Sequence, residues 1–331
     1  MSPMRLVAVL GLLLLAIIGW FAYRLTSAPE VSAYADRQMT STAVSPGKMS
    51  ATFLGNTTIL FDDGETAILT DGFFTRPGVW KMLTGPIAPN RELIAASLHQ
   101  AGIKRLAAVI VNHANHDHAM DAPDVARMTG AMLIGSASTA NIARGAGLPE
   151  AQIVVAKPGE VFRFGKFEIS LRPTGGAPER RLPAGEITAP LVPPASVLDY
   201  RSGVPQSVLI NHAGRNMLVN ASAGFVPGAL QGVQADVVFL GIGMLGRQSL
   251  AHQEDYWREV VTKTGARRVI LIHWDNFTLP LDRPLTAMPR QFDDLDVTMN
   301  FLTPRGVQDG VDIRLPVAWQ PFDPFLGLDP R

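Results

Sequence analysis

The sequence predicts an α/β (α+β) domain of four layers, helix, sheet, sheet, helix, preceded by one apolar helix at the amino terminus. Three observations carry that expectation. Two successive strings of short strand patterns are each mixed with helical stretches. Hairpin signals occur in both strings, which argues against a purely parallel sheet. Each sheet has two faces to bury, so two sheets pack face to face with helices outside.

Composition narrows the chemistry. The 331 residues are 47% hydrophobic and 18% charged, with formal net charge zero and no block of one sign. Nucleic-acid binders concentrate Lys and Arg on one face, so no nucleic-acid partner is expected. There is no cysteine. A thiolate metal site, a Cys nucleophile and a disulfide scaffold are therefore excluded, and any metal must use His, Asp, Glu or Asn.

Taken in order, the chain begins with Arg5, then residues 6–22 without a charge, then Tyr23 and Arg24. That length reaches the short end of a bilayer span, and Trp20 and Tyr23 lie where an interfacial aromatic belt would be. Two readings stand. An uncleaved anchor gives a single-pass protein of the cytoplasmic membrane with its domain on the periplasmic, extracytoplasmic side. Cleavage near Ala28 or at Val31-Ser32-Ala33 gives an exported soluble form. Residues 1–29 are thus anchor or signal peptide, 30–49 a tether poor in large apolar groups, and 50–331 a single domain.

Within the domain, ATFLG, TTILF and TAILT around Asp62-Asp63-Gly64 predict strands and a hairpin that runs into Asp71. Residues 76–90 are irregular, and residues 91–101 have helical spacing ending at Gly102. Asp121-Ala122-Pro123-Asp124 opens the next helix with Asp121 as its cap. MLIG and IVVA are strands flanking a small helix, and residues 160–171 form a second hairpin. Six prolines in residues 173–194 forbid a regular element, yet the segment is apolar enough to lie over a surface or cleft. A third hairpin, QSVLIN to NMLVN, leads into Ala221-Ser222-Ala223-Gly224-Phe225. A strand over 236–241, a helix over 249–264, a strand over 268–272 ending in His273, a helix over 290–302 and one last strand complete the domain.

The chemistry concentrates in residues 106–121, LAAVIVNHANHDHAMD. An apolar β-branched run reads as a buried strand, so three of the seven histidines fall in the loop at its carboxyl end, where open α/β folds place their sites. His113, His116, His118 and Asp117 offer imidazole nitrogens and a carboxylate, which suits zinc and several other divalent metals. The run Gly241-Ile242-Gly243-Met244-Leu245-Gly246 has GxGxxG spacing but lacks the helix placement and the ribose-binding acid of a dinucleotide site. His99, His212 and His252 read as structural or solvent-facing.

Four stretches, FLGNTTILFDDGETAILTDGFF, VNHANHDHAMDAP, NASAGFVPGAL and IHWDNFTLPL, resemble in order and spacing the metallo-β-lactamase fold superfamily, and its lactonase-like and N-acylphosphatidylethanolamine phospholipase-like branch in particular. The resemblance implies a metallo-β-lactamase-like αββα sandwich and a degenerate ligand set. His113, Asp117 and His118 match the His-x-His-x-Asp-His motif. Its second histidine is replaced by Asn115, and His116 takes a position that does not ligate, solvent-facing or beside the ligands. The histidine expected after EISL is missing from Pro173-Thr174-Gly175-Gly176, and the bridging aspartate falls on Ser222. His273 matches the final ligand.

One of the family's two metal sites is thereby reduced to His113. The other keeps Asp117, His118 and His273, with a fourth position free for water, the pattern of a catalytic zinc. The resemblance implies one Zn2+ or another divalent ion, with His113, Asn115 or His116 adjusting or contributing. Asp117 ligates or orients water, His113 is ligand or acid–base group, and Asp71 fixes a histidine tautomer. The implied activity is hydrolysis of an ester, lactone, amide or phosphodiester bond in a small-molecule or lipid-derived substrate, with the membrane as partner through the amino-terminal helix. The alternative is a catalytically inactive binding domain on the same fold, and a third reading is an oxidoreductase with another metal. Substrate, protein partner and oligomeric state are not written in the sequence.

Overall fold

The computed structural model describes residues 3–39, 41, 48–157, 159–178 and 183–330. Its strands are, in chain order, β1 (Gln38–Met39), β2 (Ser50–Phe53), β3 (Ile59–Asp62), β4 (Ala67–Thr70), β5 (Ala108–Ile110), β6 (Met132–Gly135), β7 (Ile153–Val155), β8 (Val161–Phe164), β9 (Phe167–Pro173), β10 (Gln206–His212), β11 (Arg215–Asn220), β12 (Val237–Gly241), β13 (Arg268–Ile272), β14 (Asp312–Pro316) and β15 (Pro321–Phe322). One sheet has the order β15-β2-β3-β4-β5-β6-β7, the other β1-β14-β13-β12-β11-β10-β9-β8.

Both sheets change direction midway. β2, β3 and β4 are antiparallel and β4 to β7 parallel. β8 to β11 are antiparallel and β11 to β14 parallel. Parallel neighbours require crossovers, supplied on the first sheet by helices Arg91–Gln100, Ala122–Thr129 and Ala137–Gly145 and on the second by Leu250–Trp257 and Leu295–Asp309. The carboxyl ends of β4, β5, β11, β12 and β13 consequently share one end of the sandwich, where the candidate site lies.

Strand alternation divides the core. Ile59 and Phe61 of β3 point between the sheets, where Phe61 meets Phe239 edge-on at 5.3 Å, while Leu60 packs outward with Leu69, Val109 and the helix residues Ile94, Leu98 and Val125. Phe61 is fully buried, and truncation to Ala costs about 3–5 kcal/mol. β12 and β13 are buried along their whole length, as strands covered on both faces must be.

Three expectations change. Part of the tether belongs to the domain: Val31–Arg37 forms a 3-10 helix against β14, and β1 pairs in parallel with β14 because that edge would otherwise expose its hydrogen-bonding groups. Residues 40 and 42–47 of the expected tether lie outside the described residues. The last long helix spans Leu295–Asp309 rather than 290–302, since residues 290–294 are spent on contacts with the amino-terminal segment. Asp121 begins its helix without a side-chain cap and instead accepts bonds from the Phe74 and Thr75 amides, at 2.8 and 2.6 Å, and from the Thr75 hydroxyl, fixing the loop after β4.

The proline-rich segment is irregular and packed. Ile87 and Ala195 form a β-bridge, the Leu191 amide donates to the Asn141 carbonyl, and the Ala114 amide donates to Ser202. It lies over a surface, as its apolar residues lead one to expect, and that surface is the histidine-bearing loop; residues 179–182 are outside the described part.

Candidate metal centre

β5 delivers the chain to Asn112, and after one turn of irregular backbone the four-residue helix His116–Ala119 sets Asp117 and His118 on its inner face. β13 ends at His273, which takes φ +59. That left-handed backbone is uncommon for a non-glycine residue and turns the imidazole back toward β5. Both His118 Nε2 and His273 Nε2 lie 3.4 Å from Asp117 Oδ2, and the three donor groups all fall within 4.8 Å of one another.

The residues present fit a metal ion. Ligands about 2.1 Å from a tetrahedral zinc stand about 3.4 Å apart, which is the spacing found here. His118 Nε2 and Asp117 Oδ1 are buried with no hydrogen-bond partner, a costly condition unless another group engages them. His118 Nδ1 is meanwhile occupied, 2.8 Å from Asp71 Oδ2 and 2.9 Å from Thr57 Oγ1. Asp71 fixes the tautomer that frees Nε2 as an electron-pair donor.

Electrostatics follow from this crowding. Burial alone would raise the Asp117 carboxyl and lower the His118 imidazole, but each is overruled by the other. The His118 charge, with contacts from His118 and His273, holds Asp117 well below the usual carboxylate range. Asp117 and Asp71 push His118 up to about 10. His116 is lowered by burial, only partly offset by Asp117, and stays neutral.

The turn between β2 and β3 holds these segments together, a role the sequence did not reveal. Asn56 is fully buried at φ +53. Its side-chain amide donates to the Asp117 carbonyl at 2.6 Å, its backbone carbonyl accepts from the His273 amide at 2.7 Å, and its own amide donates to Asp275 Oδ1 at 2.7 Å. The next residue, Thr57, donates to Asp71. Gly55 precedes them at φ +97, where a Cβ would fall 2.1 Å from Arg76 Nη2. Arg76 itself is buried against Asp275 at 2.7 Å, with Nε and Nη1 unpartnered. The only sequence signal was a Gly-Asn pair between two strand patterns, which marks a turn and says nothing of long-range bonds.

The other expected residues are placed as follows. The His113 ring lies beside His118, centroids 3.6 Å apart, outside the three-residue cluster. Asn115 donates to the Tyr200 carbonyl at 2.7 Å and so ties the loop to the proline-rich segment. His116 is buried edge-on to Phe73 and Phe277, at 6.0 and 6.2 Å, with Nδ1 3.8 Å from Asp117 Oδ1, so the solvent-facing reading fails. Ser222 Oγ accepts from the Ala177 amide at 3.2 Å. Around it two loops close on each other: a Cβ at Gly224 would sit 2.4 Å from Gly176, and one at Gly175 2.6 Å from the Phe225 carbonyl. At these two loops, the sequence positions to which the resemblance assigns a second ion's ligands, backbone packs directly on backbone. The GxGxxG run is packing as well, since a Cβ at Gly243 would meet His273 Nδ1 at 2.6 Å and one at Gly241 the Ala221 backbone at 2.5 Å.

No family model matches the chain. A UPF0173 metal-dependent hydrolase of Heliobacterium modesticaldum is 28% identical over 123 residues, 37% of this chain and 44% of that protein, so the chain spans less than half the length of this relative. Among solved structures, Igni18, a metallo hydrolase from the archaeon Ignicoccus hospitalis, matches with TM-score 0.50 and 16% identity over 83% of this chain and 98% of that one. CmlA, a diiron β-hydroxylase from Streptomyces venezuelae, matches with TM-score 0.51 and 16% identity over 84% of this chain and 54% of that one. These likenesses and the two-sheet topology agree on the fold: the chain has the metallo-β-lactamase fold, with Asp117, His118 and His273 brought together at its strand ends.

Proposed function

We propose that the protein is a hydrolase that works with a single divalent ion, best matched by zinc, held by Asp117, His118 and His273. The observation that carries this reading is the pair of 3.4 Å spacings around Asp117 Oδ2 together with buried, unpartnered donor atoms on His118 and Asp117. Bound there, the ion supplies Lewis-acid polarisation of a carbonyl or phosphoryl oxygen and makes water nucleophilic near neutral pH. Asp71 locks the His118 tautomer, and Asn56 holds Asp117 and His273 in register. His113, beside His118 at the edge of the cluster, is the acid–base group, an imidazole being the side chain suited to moving a proton there. The bond cleaved is an ester, lactone, amide or phosphodiester of a small-molecule or lipid-derived substrate. Helix Pro3–Thr26, apolar and exposed from Val9 to Tyr23, serves as an uncleaved anchor with the domain on the extracytoplasmic side.

Metal analysis of the purified full chain, with hydrolysis of an ester and phosphodiester panel before and after Asp117→Asn and His273→Ala, tests this. Both substitutions should abolish stoichiometric metal and turnover together. Absence of metal under metal-replete conditions overturns the reading. The closed backbone around Ser222 favours a second reading, a binding domain without turnover; stoichiometric metal with no hydrolysis of any panel member selects it.

A further inference from the structure

We propose that the site-bearing end of the sandwich lies on the bilayer surface, with Trp80 and Leu83 inserted among the lipid headgroups, so that the substrate is a bilayer-resident amphiphile reaching the centre from the membrane. This rests on the anchor and hydrolase readings above and adds an orientation to them.

The anchor is docked where the site is. Arg24, near the end of the apolar helix, donates to the Arg290 carbonyl at 2.6 Å and lies 3.8 Å from Asp294; the Gln291 amide returns to the Arg24 carbonyl, and the Arg290 amide to Ser27. The same 290–294 turn grips the loop after β12. Asp293 accepts from the Met244 amide at 2.7 Å, and Arg247 donates to the Gln291 carbonyl at 2.9 Å. Met244 follows Gly243, whose missing side chain leaves room for the His273 ring. Four short steps connect the emerging helix to a candidate ligand, and they fix which end of the domain is near the lipid.

That end carries a surface suited to it. Val79, Trp80 and Leu83 of helix Val79–Thr84, in the connection after β4, are exposed, Trp80 at 75% and Leu83 at 71%. Val192, Val226 and Leu250 are exposed in the connections after β9, β11 and β12. Trp80 and Leu83 are three residues apart and share one helix face, a pairing of aromatic and aliphatic groups that partitions into the headgroup region. The opposite end presents Glu65, Lys104, Arg105, Lys166 and Lys263, all exposed and charged. Such polarity between two ends is expected of a domain held against lipid at one of them.

The cysteine-free chain accepts single reporters. Full-length Leu83→Cys and Glu65→Cys proteins carrying a bimane label are reconstituted into phosphatidylethanolamine and phosphatidylglycerol vesicles containing a headgroup-level nitroxide lipid. Quenching at position 83 should exceed that at position 65 severalfold. Equal quenching at the two positions overturns the proposal, as does a blue-shifted label at 83 that ignores the nitroxide, the sign of a second copy or protein on this face. A mature protein that has lost the helix and stays off the vesicles overturns it too. Metal content, measured on the same samples, separates the failures: a metal-free protein with a quenched position 83 sinks the hydrolase and keeps the orientation.

Discussion

The two ends of the sandwich each contain a buried imidazole beside a buried aspartate, and the two pairs differ in whether every polar atom has a partner. At the far end His212 Nε2 lies 3.0 Å from Asp63 Oδ2, while Asp63 Oδ1 accepts from the Glu65 and Thr66 amides, so the first sheet's turn is fastened to the second sheet's hairpin. Neither residue has a buried polar atom without a partner. At the site end His118 and Asp71 form the same pair at 2.8 Å, but His118 Nε2 is left facing Asp117 with nothing to bond. A saturated pair is a fastener. The same pair with one nitrogen withheld is, on the proposed reading, a donor for an ion.

The sharpest way to break this contrast is to delete ligands. His273→Ala should lower metal affinity by more than about 100-fold, beyond the range of partners that only orient ligands, with turnover lost alongside; His212→Ala should leave metal content unchanged. Inductively coupled plasma analysis of the two purified proteins reads the difference.

Asn56→Ala comes next. It leaves every ligand in place, yet loses the bond to the Asp117 carbonyl, and metal affinity should fall about 10–100-fold. Competition with a chromogenic chelator measures it, and an unchanged affinity would show that the turn is mere packing.

Acidity supplies the third comparison. His118 is raised to about 10, so below that pH its imidazole carries a proton that a metal must displace, whereas Asp117, held low, has none to give. Metal affinity should therefore rise about tenfold per pH unit between pH 7 and 9, with release of about one proton per ion. Calorimetry in buffers of differing ionisation heat counts that proton. Without metal the sign is different: the raised His118 stabilises the fold fully below its unfolded pKa and ceases to do so as pH climbs through about 10.

Smallest is the fastener itself. Burial would raise Asp63, but the His212 bond and two backbone amides overrule it and hold the carboxyl low. It thus contributes stability above the ordinary carboxylate pKa and loses it as pH falls through its lowered value. Asp63→Asn should cost about 1–2 kcal/mol in urea unfolding at pH 7, a cost that disappears in strong acid, with metal content untouched.

What the sequence made legible was whatever is local. The contiguous run from His113 to His118 and the strand ending in His273 could be read because ligands and elements there are neighbours in sequence, and the alternation of β3 and β4 gave the layers. Asn56 could not be read, since its three partners, Asp117, His273 and Asp275, lie between 61 and 219 residues away and two of its three bonds use backbone atoms that every residue has. Asp121 looked like a cap because its identity fits one, yet the loop at Phe74 and Thr75 offered stronger donors. Of the two readings of His116, the solvent-facing one fails for a related reason: a polar side chain on a four-residue helix gives no sign of Phe73 and Phe277 arriving from elsewhere.

After β14 finishes the second sheet, the chain crosses to the first: the Trp319 amide donates to the Phe53 carbonyl, and β15 closes the edge of β2. That edge leads into Leu54, Gly55 and Asn56. During synthesis, the hairpin of β2 and β3 thus waits for Trp319, Pro321 and Phe322, made long after it, before its border is sealed, and His273 also arrives well after it. On the proposed reading, retention of an ion accordingly waits for this late closure, and a nascent chain halted before residue 319 should be unable to hold one.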